Sequence, residues 1–282
     1  MHSLSTMRAK IRAIYRYPVK GLSPAPLTAT LLSPGAPLAG DRRYAIENGP
    51  SGFDPAKPGY LPKQRFLMLM KNERLARLDT HFDDATEVLA IREGGREAVR
   101  GDLRTPQGRA AIESFLAAYC AGELRGAPKV LEAAGHSFSD VARKVVSIIN
   151  LASVAAIETM TGRPVDPLRF RANLYVDGWR AWREFDLLGH EIAIGPQARA
   201  KVVKRIVRCA ATNVDPCTGI RDFDIPATLL RRLGHADCGI YAEVTAGGVI
   251  GRGDEVGLSV AAAPAHGDQA ASGDQAGAAA GG

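Results

Sequence analysis

Short runs of alternating apolar and polar residues, cut off repeatedly by proline or glycine, leave this chain little room to be helical. Lys10 to Tyr17 sets the pattern. Ile11, Ala13, Tyr15 and Tyr17 fall on one face, Arg12 and Arg16 on the other, and Pro18 ends the run. Leu27 to Leu32 and Arg43 to Glu47 read as further strands, and the Gly/Pro-rich Asn48 to Lys63 as a loop. Phe66 to Met70, Arg74 to Asp79 and Glu87 to Arg92 continue the series. Past the middle, strands recur at Val145 to Ile149, Asn173 to Val176, Glu191 to Ile194, Ala200 to Cys209, Gly239 to Val244 and Val249 to Val256. Ala246-Gly247-Gly248 fits a hairpin turn before the last of them. Many short strands and few helices point to a closed or nearly closed barrel, although a β-sandwich fits the pattern nearly as well.

Three helices interrupt the strands. Ile112, Phe115, Leu116 and Tyr119 share one face of a helix over Gly108 to Ala121, with Gly122 as its stop. A second follows Val145 to Ile149, capped by Asn150 or Ser153, and ends at Gly162. A third starts at Pro226 and stops at Gly234. Leu124 to Pro128 links two halves, giving units over 10–123 and 124–260. Residues 1–9 read as a disordered leader and 261–282 as a solvated Ala/Gly tail without large apolar residues.

Composition narrows the function. The formal net charge is +6, but the basic residues are scattered, apart from modest clusters such as Lys201, Lys204, Arg205 and Arg208. That distribution suits a pocket for a small anionic ligand better than a nucleic-acid face. The sequence shows no long uncharged apolar stretch and no secretory signal pattern, so no membrane partner is expected. The four cysteines, Cys120, Cys209, Cys217 and Cys238, form no C-x-x-C pair, so neither a zinc ribbon nor a ferredoxin-type cluster is encoded. Sparse cysteine points to a reducing cytoplasm.

Chemistry concentrates at Arg208-Cys209. Cys209 closes a basic, β-branched strand, and the turn sequence Val214-Asp215-Pro216-Cys217-Thr218-Gly219 follows. Arg208 beside it and Arg205 nearby favour a thiolate. A thiolate is a soft ligand, and one suffices for a thiophilic metal when an organic dithiolene supplies the other sulfurs. On spacing alone, a buried structural cysteine is the plainer reading. Asp215 is a candidate proton-transfer group, with a turn-stabilising role the simpler account. His235 and Cys238, spaced H-x-x-C, read as a packed structural pair. Trp179 and Trp182 fit either the border of a substrate mouth or a cover over the barrel.

Arg208 to Gly219 resembles the core signature of the MOSC domain, R-C-x-x-T-x-V-D-P-x-T-G, named for the molybdenum cofactor sulfurase C-terminal region. The resemblance extends to Arg169 to Leu174, Gly234 to Gly239 and Gly253 to Val256. At the N-terminal side, Ile14 to Gly21 and Gly40 to Tyr44 look like the family's N-terminal β-barrel domain. The implied fold is mainly β with α (α+β): a MOSC-type β-barrel with a smaller β-rich N-terminal domain.

The resemblance also implies a site. In the family's amidoxime-reducing members the signature cysteine is the protein's ligand to molybdenum, a role that falls to Cys209. Lys20, Arg42, Arg171, Asn173 and Arg208 match motif positions that would hold the phosphate and pterin of the molybdenum cofactor. Ser153, near a helix start, would add a hydroxyl and backbone N–H groups. Gly21 stands where these relatives carry a hydroxyl-bearing residue, and Thr212-Asn213 replaces paired threonines. The implied activity is reduction of N-oxygenated small molecules, with electrons from a separate flavin or iron–sulfur protein. The rival roles are a persulfide carrier and a non-catalytic cofactor-binding protein.

Overall fold

The computed structural model describes residues 7–259; the expected tail, and all of the expected leader but Met7, Arg8 and Ala9, lie outside the described residues. The chain opens with β1 (Arg8–Arg16), β2 (Ala25–Leu27), β3 (Ala29–Leu32) and β4 (Tyr44–Asn48). Next come β5 (Leu78–Asp83), β6 (Val88–Glu93), β7 (Arg96–Asp102), helix α1 (Pro106–Tyr119) and β8 (Pro128–Glu132). The second half runs β9 (Val146–Asn150), α2 (Leu151–Thr161), β10 (Leu174–Asp177), β11 (Glu191–Ile194), β12 (Ala198–Val207) and α3 (Ile225–Leu233). It ends with β13 (Asp237–Ala246), β14 (Gly248–Gly251) and β15 (Glu255–Leu258).

Seven strands close a barrel in the order β10-β9-β13-β12-β11-β15-β1, and β1 pairs back onto β10. Closure pairs every strand on both sides, which removes the exposed edges an open sandwich would keep. Its interior is filled by Ile11, Ile14, Ile148, Val176, Ile192, Val202 and Ile240 among others. β1 carries a bulge between Ile11 and Ala13. The extra residue reverses the alternation. Ile11 and Ile14 therefore both face the barrel core, while Ala13 and Tyr15 pack outside against α2 and α3 residues. The single apolar face expected over Lys10 to Tyr17 is thus split by one unpaired residue.

The smaller unit is β-rich: the β5-β6-β7 sheet and the β4–β8 pair, closed by α1 over a core of Tyr44, Ile46, Leu78, Ile91, Ile112 and Leu116. Thr105 caps α1 by accepting from the Gly108 N–H at 3.0 Å. Asn150, rather than Ser153, caps α2 through the Ala152 N–H. Several local expectations need correction. Phe66 to Met70 forms only a bridge between Phe66 and Glu47, and Glu73–Arg77 is a 3-10 turn. β7 and β8 arise in segments whose alternation is too weak to mark a strand. Gly247 does not turn β13 back on itself, because β14 pairs with β3. β1 itself belongs to the barrel built from the second half of the chain, tying the two units together.

Candidate functional site

β12 and β13 run antiparallel with three register irregularities, the last between Arg205 and Val207. Gly239 on β13 has φ +80, and a Cβ there would stand 2.5 Å from the Ile148 carbonyl oxygen. Only glycine fits that kink. The irregular pairing ends β12 at Val207 and releases Arg208 and Cys209 from the barrel wall. Arg208 is held by its own side chain, with Nε donating to the Cys238 carbonyl at 2.7 Å and Nη1 to the Phe170 carbonyl at 3.0 Å. Cys209 then caps the 3-10 turn Ala210–Asn213, and the Thr212 N–H and hydroxyl both donate to its carbonyl at 3.0 Å.

The Cys209 sulfur lines a cavity of about 210 Å³ between the two units. The cation in contact with it is Lys63, whose Nζ lies 3.2 Å from the sulfur. Arg208, the cation expected there, is turned away to carbonyl groups. Asp140 ion-pairs with Lys20 and stands 3.9 Å from Lys63 Nζ, so one carboxylate bridges two lysines. Burial opposes its charge, yet the Lys20 ammonium holds Asp140 well below the usual carboxylate range. Lys20 is buried and also donates to the Phe138 carbonyl at 2.9 Å. Burial pulls its own ammonium below the ordinary lysine value.

Arg42 and Arg171 supply the other cations. Both take left-handed backbone angles, φ 49 and φ 50, which non-glycine residues adopt uncommonly. Arg42 ion-pairs with Asp41, and its Nη2 donates to the Arg171 carbonyl at 2.9 Å. Arg171 donates to the Leu22 carbonyl at 2.8 Å and has no carboxylate partner among the described residues.

Of the residues singled out in the sequence, Lys20, Arg42, Arg171, Asn173, Arg208 and Cys209 all line this cavity. Asn173 also braces the fold, since its Oδ1 accepts from the Ser147 N–H and hydroxyl, and its Nδ2 donates to the Tyr15 carbonyl. Ser153 lies elsewhere. Its buried hydroxyl donates to the Glu184 carboxylate at 2.7 Å, so it offers nothing to a phosphate. Asp215 is also outside the cavity lining. It accepts from the Cys217 and Thr218 N–H groups and pairs with Arg169 at 3.0 Å, contacts that stabilise the turn. His235 accepts from the Asp237 N–H, while burial pushes the Cys238 thiol up to about 12, so this pair is structural. Trp179 is buried in the barrel core, and Trp182 packs at its margin.

Lys63, Asp140 and Arg169 escaped the sequence reading. Lys63 ends a segment that reads only as a loop, and Asp140 sits in an irregular linker; neither position has a periodicity to mark it. Arg169 had a signal, since it opens the Arg169-to-Leu174 motif. It pairs with both Asp215 and Asp222, fastening the loop after Cys209 to the turn that presents Arg171.

A barrel carrying one cysteine at the rim of a cationic cavity defines a class that the family comparisons name. The MOSC domain model matches residues 133–257, and the MOSC N-terminal beta barrel domain model matches residues 8–141. The chain belongs to the MOSC domain family, some members of which bind the molybdenum cofactor. Among solved structures it is similar to the YUAD protein from Bacillus subtilis, at 14% identity over 89% of this chain and 94% of that one, with a TM-score of 0.42. It also resembles YiiM from Geobacillus stearothermophilus, at 21% identity over 41% of this chain and 54% of that one, with a TM-score of 0.33. No curated protein matches it in sequence. Among the described residues no helix is long and apolar enough to cross a membrane.

The donor set fits the molybdenum cofactor. Lys20, Arg42 and Arg171 offer charge and N–H groups for a phosphate, and Cys209 offers one soft sulfur. No group of three or more His, Cys, Asp or Glu able to hold a metal ion alone occurs among the described residues.

Proposed function

We propose that this protein holds the molybdenum cofactor with Cys209 as the metal's protein ligand and reduces N-oxygenated small molecules. Bound there, the cofactor would supply two-electron oxygen-atom abstraction, and a separate flavin or iron–sulfur protein would return the electrons. The observation that carries the reading is the placement of Cys209 in one cavity with Lys20, Arg42 and Arg171.

The protein's residues hold and orient. Lys20, Arg42 and Arg171 would take the anionic phosphate. Arg208 and the Thr212 contacts fix the backbone on either side of Cys209, so its sulfur is presented in one orientation. Lys63 keeps a positive charge at that sulfur. Asp140 balances Lys20 and Lys63 and keeps the cavity from carrying unopposed charge.

Elemental analysis of protein from a cofactor-competent host, beside Cys209→Ala, tests this. Near-stoichiometric molybdenum that is lost in the variant supports the site, and turnover of N-hydroxylated compounds with an artificial donor supports the reaction. Metal-free protein from a host whose other molybdoenzymes are loaded would overturn both. The Lys63–Cys209 contact favours one second reading, a persulfide carrier, because an ammonium beside the sulfur would stabilise a persulfide anion. Sulfane sulfur on metal-free protein would support that role instead.

A further inference from the structure

Two arginines from distant parts of the chain converge on one aromatic ring. The Arg42 guanidinium carbon lies 4.6 Å from the Tyr17 ring centroid, and that of Arg171 lies 4.2 Å from it. Tyr17 is fully buried and absent from the cavity lining, so it stands behind the arginines rather than beside a ligand. Its backbone is tied to the same group: its N–H donates to Asp41 Oδ1 at 2.8 Å, and its carbonyl accepts from the Arg42 N–H at 2.7 Å.

The arrangement answers an electrostatic problem. Arg42 has Asp41 as counter-ion, whereas among the described residues no carboxylate lies within ion-pairing distance of Arg171, and Asp140, paired with Lys20, acts on it only from further away. Burial pulls the Arg171 guanidinium below its ordinary value, and Arg42 close by adds to that pull. A carboxylate placed between the two would neutralise them and compete with an incoming anion. The face of an aromatic ring attracts cations through its quadrupole without carrying net charge. It steadies both guanidinium groups and leaves the Arg171 charge without a contacting carboxylate. Both residues also sit in left-handed backbone, a strain that persists only where surrounding contacts enforce it. The Tyr17 hydroxyl is buried beside that of Tyr175, and the two cations lie over the ring rather than at the hydroxyl.

We propose that Tyr17 is a positioning residue whose ring holds Arg42 and Arg171 as a paired anion clamp aimed into the cavity. This rests on the reading of the cavity as a cofactor phosphate site.

The test uses the full metal-free chain and inorganic phosphate as the probe, followed by titration calorimetry at low ionic strength. Tyr17→Phe should bind phosphate within about twofold of the wild type. Replacing Tyr17 with mono-, di- and trifluorophenylalanine keeps the shape but drains the ring's negative face. Affinity should then fall stepwise, by about tenfold across the series, with thermal midpoints and circular dichroism unchanged. Tyr17→Leu should weaken binding by a similar factor, but it also changes packing, so the fluorinated series decides. A flat series overturns the proposal, as does an equal loss in Tyr17→Phe, which would assign the effect to the hydroxyl. Absence of phosphate binding in the wild type overturns it together with the phosphate site. Molybdenum content of the wild type, measured in parallel, judges the cofactor reading separately. Molybdenum retained with a flat series removes only the role of Tyr17.

Discussion

The Lys63 ammonium lies 3.2 Å from the Cys209 sulfur across 146 positions of sequence. The lysine comes from the smaller unit and the cysteine from the barrel rim, so the contact exists only when the two units are docked. Outer groups that orient a metal ligand typically change metal affinity by about 10- to 100-fold when removed. Lys63→Met is therefore expected to weaken cofactor affinity by about tenfold, read as a fall in molybdenum occupancy, while Lys63→Arg retains most of it. Elemental analysis against Cys209→Ala, with a thermal melt as control, checks this. Full occupancy in Lys63→Met would make the contact incidental.

Arg169 joins two carboxylates with only 2% of its side chain exposed, while Asp215 and Asp222 remain 26% and 29% exposed. Removing one partner of a fully buried pair costs about 3–5 kcal/mol. Solvent around the carboxylates reduces that here, and Arg169→Met should destabilise by about 2 kcal/mol. Urea unfolding measures the loss. The same variant should loosen the segment from Cys209 to Gly219, seen as faster alkylation of exposed Cys217 in the folded protein.

Acid should unfold the protein through identifiable groups. Asp215 is partly buried, yet bonds from Thr218 hold its carboxyl below the usual range; Asp140 is held lower by Lys20. For a depressed carboxylate, the stabilisation is present above the unfolded value, near 3.9, and is lost as pH falls through the folded one. Asp140→Asn and Asp215→Asn should each flatten the acid limb of a stability–pH curve. Glu184 has the opposite sign, because burial raises its pKa, so its contribution worsens as pH climbs past the unfolded value. Glu184→Gln should lessen that loss, and an unchanged slope would assign it to another group.

Restoring a hydroxyl at position 21 should not improve the site. Gly21 has φ +84, and a Cβ there would stand 2.9 Å from the Leu67 carbonyl oxygen. Left-handed strain and that clash together predict a cost of about 1–3 kcal/mol for Gly21→Ser. Phosphate binding should not tighten. A stable Gly21→Ser protein with higher phosphate affinity would show that the missing hydroxyl, rather than the turn, governs the position.

Much of the site was readable from motifs. Cys209, Lys20, Arg42 and Arg171, each picked out by its motif, line one cavity, and Gly162 and Gly234 end their helices in left-handed conformation. Ser153 misled because a serine near a helix start looks the same whether its hydroxyl meets a ligand or a buried carboxylate. Only the 3-10 turn bearing Glu184 distinguishes the two. Arg208 lines the cavity but does not touch the Cys209 sulfur, because adjacency in sequence says little about direction at a strand end.

What this sequence determined alone was local: strands from alternation, helix ends from caps and glycines, and motif residues from their neighbours. Those signals act over a few residues, through backbone sterics and one face of an element. Tertiary structure decided which cation touches Cys209, where Asp140 places its charge, and that β1 serves the barrel of the other half. Each depends on packing between segments far apart in the chain, where no periodicity records the contact. The bulge in β1 belongs to the same group, since one unpaired residue is visible only against the strands it pairs with.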